Sequence, residues 1–350
     1  HSVENIGIIL LGIGLGGLGT AYGQPALALL GYAAAVLHTF NHALFKSLLF
    51  MAAGAVYRMT ETRNIEDLGG LARRMPATFI MFLIGSIAII GLPPLNGFVS
   101  EWMVYQGLLG AGGRDGALRL AVLAVPVLAL AGGLALACFA KVAGVIFLGR
   151  ARTERAVVPA DVGRAYLIPQ GVLAAACVLI GLLPAVMIAP AIHIGAVIAG
   201  SAGSETAAAA LVLPGAGQVA LYAATLVAIL GAVAGGRAWL MRRRPVRFGS
   251  TWNCGFDAPP SSMQYTASSF AAPLLSLFGR MAGVEEHRGA TVFHSEPRDL
   301  ILDRVVVRMW RTVHGTALRL RPLQHGRLHM YLLYLLGGVL ACLAYLVLAP

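Results

Sequence analysis

Stretches of about 20 mostly apolar residues, the length at which a helix crosses a bilayer, recur along the whole of this sequence. Residues counted as hydrophobic make up 58% of the 350, and only 12% are charged. No ordinary soluble domain of this length is so poor in charge. The chain therefore reads as an all-α, polytopic transmembrane helix bundle.

Seven spans are expected, at about 3–22, 26–57, 77–110, 118–148, 166–190, 215–240 and 328–348. The third is interrupted by Gly91-Leu92-Pro93-Pro94-Leu95-Asn96-Gly97, so it reads as a discontinuous helix with its break near 91–97. The glycines Gly12, Gly14, Gly16 and Gly17 lie in an apolar helix and read as close helix packing, not as a nucleotide loop. Residues 1–240 form the transmembrane domain, 241–326 a polar, basic and partly amphipathic segment, and 327–350 a last transmembrane helix. Within the polar segment, 299–320 sets Leu300, Val305, Met309 and Val313 among Arg304, Arg308 and Arg311. That pattern suits a helix lying in the membrane interface or against a neighbouring subunit, and also a solvated helix. The chain opens at His1 without Met or signal peptide, directly before an apolar span, and is expected to be a fragment lacking its N-terminal part.

The net charge is +11, but the basic residues sit between spans. Arg58, Arg63, Arg73 and Arg74 follow the second span. Arg150, Arg152, Arg155 and Arg164 follow the fourth, and Arg242, Arg243, Arg244 and Arg247 the sixth. The loops after the first and fifth carry no Lys or Arg, and that after the third carries Arg114. Every second loop is basic, as the positive-inside rule requires. The expected location is thus the cell inner membrane, with the basic loops and 241–326 cytoplasmic. Lipid is an expected partner and nucleic acid is not. Cys138, Cys177, Cys254 and Cys342 share no CxxC spacing. Disulfide, zinc and iron–sulfur readings are weak, and any redox cofactor is expected on another subunit.

Ionisable groups inside spans cost roughly 2.5–3.5 kcal/mol each on insertion scales, so they mark function. The deep candidates are His38, His42, Lys46, Glu101 and Lys141. His38, His42 and Lys46 recur at four-residue steps and form one stripe on a helix, drifting about 40° per step. A histidine carries protons near neutral pH, and a desolvated lysine can release one. The alternatives are plain hydrogen bonding across the bundle and a His-x3-His zinc site, which here lacks an accompanying carboxylate or thiol. Glu101 follows the break, where Asn96 could cap a second half-helix and its dipole would favour the carboxylate. Broken helices of this kind mark ion sites near the bilayer midplane. Lys141 could instead snorkel to the headgroups. Glu4 begins the first span and could be a simple interfacial carboxylate.

The run His38-Thr39-Phe40-Asn41-His42-Ala43-Leu44-Phe45-Lys46-Ser47-Leu48-Leu49-Phe50 resembles a motif of the antiporter-like, proton-conducting membrane subunits of respiratory complex I, Mrp-type antiporters and membrane-bound hydrogenases. The break from Gly91 to Glu101 is similar to that family's discontinuous helix. The opening His1–Ile9, Thr251-Trp252-Asn253-Cys254-Gly255 and Gln264-Tyr265-Thr266-Ala267-Ser268-Ser269-Phe270 resemble its hydrogenase-4/formate hydrogenlyase-type subgroup. The resemblance implies a non-catalytic subunit with no cofactor of its own. Such a subunit couples electron transfer in partner membrane and peripheral subunits to movement of protons or Na⁺. It implies two inverted repeats, with Lys46 as the central lysine of the second, His38 and His42 as its neighbours, Glu101 as the terminal ionisable group and Lys141 as a basic position on the next helix. The first repeat's Glu–Lys pair would lie upstream of His1. A stand-alone or Mrp-type cation/proton antiporter is the alternative reading, and a purely structural membrane anchor a third.

Overall fold

The computed structural model describes residues 1–113, 116–158, 160–200, 205–244, 263–289, 293–297, 302–323 and 326–348. It forms two compact units, 1–270 and 271–350. The first contains α1 (Ser2–Ala21), α2 (Pro25–Thr60), α3 (Pro76–Ile89), α4 (Asn96–Gly112), α5 (Ala124–Phe147), α6 (Arg164–Leu182), α7 (Ala185–Ala199) and α8 (Glu205–Met241). α9 (Ala267–Ala282) leads into the second unit, which adds β1 (Val284–Arg288), β2 (Phe293–Pro297), α10 (Val307–Leu320) and α11 (Leu328–Leu348).

Among the described residues six helices are long and apolar enough to cross a membrane: α1, α2, the run Leu118–Phe147 ending in α5, α6, α8 and α11. The protein is a multi-pass, helical membrane bundle. Among the described residues the strands are the antiparallel pair β1–β2, with Glu286 opposite Ser295.

α2 organises the first unit. Pro25 stands at its first turn, where a missing N–H costs nothing, and Glu61 in the left-handed region ends it, its N–H donating to the Tyr57 carbonyl at 2.8 Å. Its 36 residues make a rod about 54 Å long. α1 lies against it with the backbones in close approach. A Cβ at Gly19 would strike the Ala28 backbone, and one at Gly31 the backbone of Gly16. Without a hydrophobic force between helices in lipid, such small-residue contacts supply the packing. Gly12 also meets Ala35, whereas Gly14 faces open space.

α3 and α4 run antiparallel along α2: Gly85 meets Leu49, Ser100 bonds His38, and Gly107 abuts Leu30 and Leu15. They are one crossing broken where the sequence suggests, with Gly91 at φ +72°. The fifth span differs from expectation. It does not stop at residue 190 as one helix. α6 ends at Leu182, the chain breaks at Leu183-Pro184, and α7 continues to Ala199 with Pro190 inside it. Arg58 stacks on Tyr166 at 5.1 Å, and Gly195 meets Ala33, so α6 and α7 also follow α2 antiparallel. The two breaks touch, since a Cβ at Gly181 would collide with the Pro94 carbonyl and the Leu95 Cα.

The two basic loops that follow α2 and α5 interlock at one end of the bundle. The Gly70 N–H donates to the Leu148 carbonyl (2.8 Å) and the Arg74 guanidinium to the Val158 carbonyl (2.8 Å). Asp161 accepts from the N–H groups of Ala77 (2.9 Å) and Thr78 (3.1 Å), capping α3 from outside it. The stretch after residue 263 is strapped to the same loops: the Arg150 N–H donates to Gln264 (2.7 Å) and the Ala267 N–H to the Glu66 carboxylate (2.7 Å). The stretch 251–255, residues 258–260, Cys254, Arg114, Arg247 and residues 299–301 lie outside the described residues. α10 carries exposed Met309, Trp310 and Val313 beside Arg308 and Arg311, an amphipathic helix as expected.

Adding a branched side chain where the breaks meet is expected to overpack them. Gly181→Val should destabilise the bundle by about 1–3 kcal/mol, seen as a lowered thermal midpoint in detergent, while Gly14→Val on an open face should leave it nearly unchanged.

Candidate functional site

The middle of α2 carries the polar stripe. His38 is fully buried (0% exposed), and so are Asn41, Asn96 and Ser100. In hydrocarbon such groups must find partners within the protein, and these find one another. The Asn41 amide donates to the Asn96 carbonyl (2.8 Å) and to the Ser100 hydroxyl oxygen (3.0 Å). The Asn96 amide donates back to the Asn41 side-chain carbonyl (3.2 Å). The sequence suggested Asn96 as the cap of α4. Instead Leu95 is the N-cap, without a side-chain bond, and Asn96 ties the half-helix to α2.

The His38 ring is held from two helices. Its Nε2 lies 3.2 Å from the Asn5 side-chain carbonyl of α1, and its Nδ1 2.9 Å from the Ser100 hydroxyl of α4. Asn5 spends its amide N–H on the His1 carbonyl (2.8 Å), so its oxygen faces His38 and Nε2 is the donor. A second proton on the His38 ring would therefore sit at Nδ1. When the ring is neutral, the Ser100 hydroxyl donates to it. When the ring is charged, Nδ1 donates instead, and the hydroxyl turns to the Gly97 carbonyl, 3.1 Å away. Both states are fully satisfied, because Ser100 accepts from Asn41 in either.

The other expected residues are placed as follows. His42 sits edge-on to Phe45 (5.6 Å), and its Nε2 is buried with no hydrogen-bond partner among the described residues. Lys46 places its ammonium 5.3 Å from the Phe50 ring centre, a cation–π contact, and makes no ion pair among the described residues. Glu101, in the second turn of α4, packs its carboxylate against Gly91, where a Cβ would collide with it. The break thus makes room for the acid. Lys141 is partly buried on α5, one turn from Cys138, and no hydrogen bond or ion pair among the described residues joins it to the stripe. Glu4, in the first turn of α1, contacts the ring Nδ1 of His1. Sequence reasoning passed over Asn5 and Ser100 as partners; their one signal is a small polar residue inside an otherwise apolar run.

The fold and this site define a class. Residues 2–125 match the family described as NADH:quinone oxidoreductase/Mrp antiporter, transmembrane. The chain is 32% identical to hydrogenase-4 component B of Escherichia coli strain K12, over 98% of its own length and 54% of that protein. It is 38% identical to formate hydrogenlyase subunit 3 of the same organism, over 79% of its own length and 44% of the relative. It therefore spans about half the length of these relatives. The fold is shared with a chain in the membrane-bound sulfane sulfur reductase, an archaeal respiratory membrane complex, at TM-score 0.56 and 19% identity, covering 97% of this chain and 56% of that one.

Removing the Ser100 hydroxyl leaves both the His38 Nδ1 and an Asn41 N–H without a partner. Ser100→Ala should cost about 1–3 kcal/mol of stability, measured by thermal unfolding of the detergent-solubilised protein.

Proposed function

We propose that this chain is the second-repeat region of an ion-translocating subunit in a hydrogenase-4/formate hydrogenlyase-type or complex I-type assembly. It would couple electron transfer in partner subunits to proton, or Na⁺, movement through Lys46, His38, His42 and Glu101, with Lys141 supplying or receiving the ion at one end. The observation that carries this reading is the stripe on α2 locked against the broken helix α4, with a buried histidine that is satisfied in either protonation state. A group meant only to hold helices together has no use for hydrogen-bond partners in a second protonation state, whereas a relay needs them. The relatives belong to hydrogenase assemblies by name, which favours a redox-driven complex with all redox centres on partner subunits. The family description also embraces Mrp antiporters, so a subunit of a cation/proton antiporter is the second reading. In the proposed orientation the shared end formed by the basic loops faces the cytoplasm of the inner membrane.

The test uses inverted membrane vesicles holding the full-length parent subunit in its complex. Proton uptake driven by the native electron donor is compared between wild type and Lys46→Ala at equal electron-transfer capacity. Uptake should be lost while the complex stays assembled. Normal uptake would make Lys46 structural and end the relay reading, and transport without any redox partner would favour the antiporter.

A further inference from the structure

The end of the bundle where the basic loops interlock carries two arginine–tyrosine stacks. The Arg58 guanidinium lies over the Tyr166 ring, 5.1 Å from its centre, and the Arg63 guanidinium over the Tyr57 ring, also at 5.1 Å. Tyr57 and Arg58 are neighbours in the last turn of α2, so the two stacks adjoin. Tyr166 lies in the first turn of α6, which opens with Arg164. All five residues are exposed. Below Arg58 on the same face of α2, at four-residue steps, come Gly54 and Phe50. A Cβ at Gly54 would meet only open space, and Phe50 is exposed.

The stacks lie at the level of lipid headgroups. Arg58 is about 23 Å from the middle of α2 at 1.5 Å per residue, and half of a bilayer with its headgroups is about 20–22 Å thick. Tyrosine settles at this boundary, its ring against hydrocarbon and its hydroxyl in water. Other charges of this end are already engaged. Arg74 donates to the Val158 carbonyl, and Arg152 to the Tyr265 carbonyl (2.6 Å), with Glu66 at 3.7 Å. Asp161 is taken up in capping α3. The side chains of Arg58 and Arg63 make no hydrogen bond or ion pair among the described residues, with Glu61 or any other acid.

We propose that the two stacks form a binding site for an anionic phospholipid, whose headgroup phosphate is held by Arg58 and Arg63 and whose acyl chain descends past Gly54 and Phe50. A guanidinium laid flat on a ring keeps its N–H edge outward, and that planar fork matches two oxygens of a phosphate. The ring also holds the long side chain in place beforehand, so less freedom is lost on binding. A phosphodiester carries one negative charge. A choline headgroup neutralises it with its own cation, whereas an anionic lipid leaves it to the arginines, and Arg164 adds positive charge beside them. The bound lipid bridges the last turn of α2 and the first turn of α6. The site is separate from the polar stripe and does not depend on the reading of Lys46 as a carrier.

The experiment uses the full-length subunit in its complex, in phosphatidylcholine vesicles holding increasing amounts of a photoactivatable phosphatidylglycerol. Labelling of the peptides that carry residues 50–63 and 164–166 is read by mass spectrometry. Arg58→Gln with Arg63→Gln should raise the lipid fraction needed for half-labelling by roughly tenfold or more. Arg73→Gln with Arg155→Gln removes the same charge from exposed, unstacked positions at the same end and should leave it nearly unchanged. Inorganic phosphate added at the lipid's concentration should not displace the label. Equal loss in both double variants would mean a diffuse positive surface and overturn the site. So would wild-type labelling in Arg58→Gln with Arg63→Gln, equal labelling by a phosphatidylcholine analogue, or displacement by inorganic phosphate. If the arginine variant does not assemble, Tyr57→Leu with Tyr166→Leu, which keeps both charges, decides: weakened labelling supports the site and wild-type labelling overturns it.

Discussion

Everything in the first unit depends on burying amides, a hydroxyl and an imidazole where no solvent can satisfy them. An unpaired polar group in hydrocarbon costs several kcal/mol, so the bonds of His38, Asn41, Asn96 and Ser100 are obligatory and directional. They fix the rotation of α2 about its axis, because a stripe at four-residue spacing must face α4. They also fix the height of α4, since Asn96 and Ser100 must lie level with Asn41 and His38. Apolar packing alone would tolerate sliding; this ladder does not. The close glycine contacts of α1 then set the approach that brings Asn5 within reach of His38.

The broken crossings follow from the same constraint. A continuous helix offers the bilayer interior only side chains, whereas a helix end offers free N–H groups and the positive end of a dipole. Glu101 stands near the start of α4 and against Gly91, whose positive φ turns the chain and whose missing Cβ admits the carboxylate. The second break lies against the first at Gly181, so protein covers part of the irregular backbone of each, the condition under which a bilayer tolerates it. α2, unbroken over 36 residues, is the bar along which both interrupted crossings are aligned.

Much of this was legible in the sequence because it rests on local signals. Apolar length gave the helices, alternating loop charge gave their parity, and Pro93-Pro94 beside Gly91 marked the first break. The second break was not legible. Leu183-Pro184 differs little from Pro169, Pro190 and Pro214, and those three lie inside continuous helices. What marks the end of α6 is the close approach of the Pro94–Leu95 backbone at Gly181, which is tertiary information. The hairpin of β1 and β2 was equally hidden, since Val284–Arg288 lacks apolar alternation. In the site, Lys46 and the histidines stood out as charged types in apolar runs. Their partners Asn5 and Ser100 did not, because a lone small polar residue reads the same whether it faces a neighbour or bonds its own helix, as Thr39 and Ser86 do.

The hydrogen bonds of His38 also constrain how a proton on α2 is felt elsewhere. Because Nε2 is committed to Asn5, a change of charge at His38 must be answered at Nδ1, and the answering group is a hydroxyl with a single proton. That proton points either to the imidazole or to the Gly97 carbonyl in the first turn of α4. In the proposed relay, a charge change on the continuous helix would thereby be converted into a change of hydrogen bonding at the start of the broken one, two residues after its N-cap and one turn before Glu101. Serine suits this position because its hydroxyl turns freely between the two acceptors without moving the backbone. Alanine would silence the link, and a threonine would carry the hydroxyl but stiffen its rotation. In the proposed relay this makes Ser100 the point at which the protonation of one helix becomes a local rearrangement of the next.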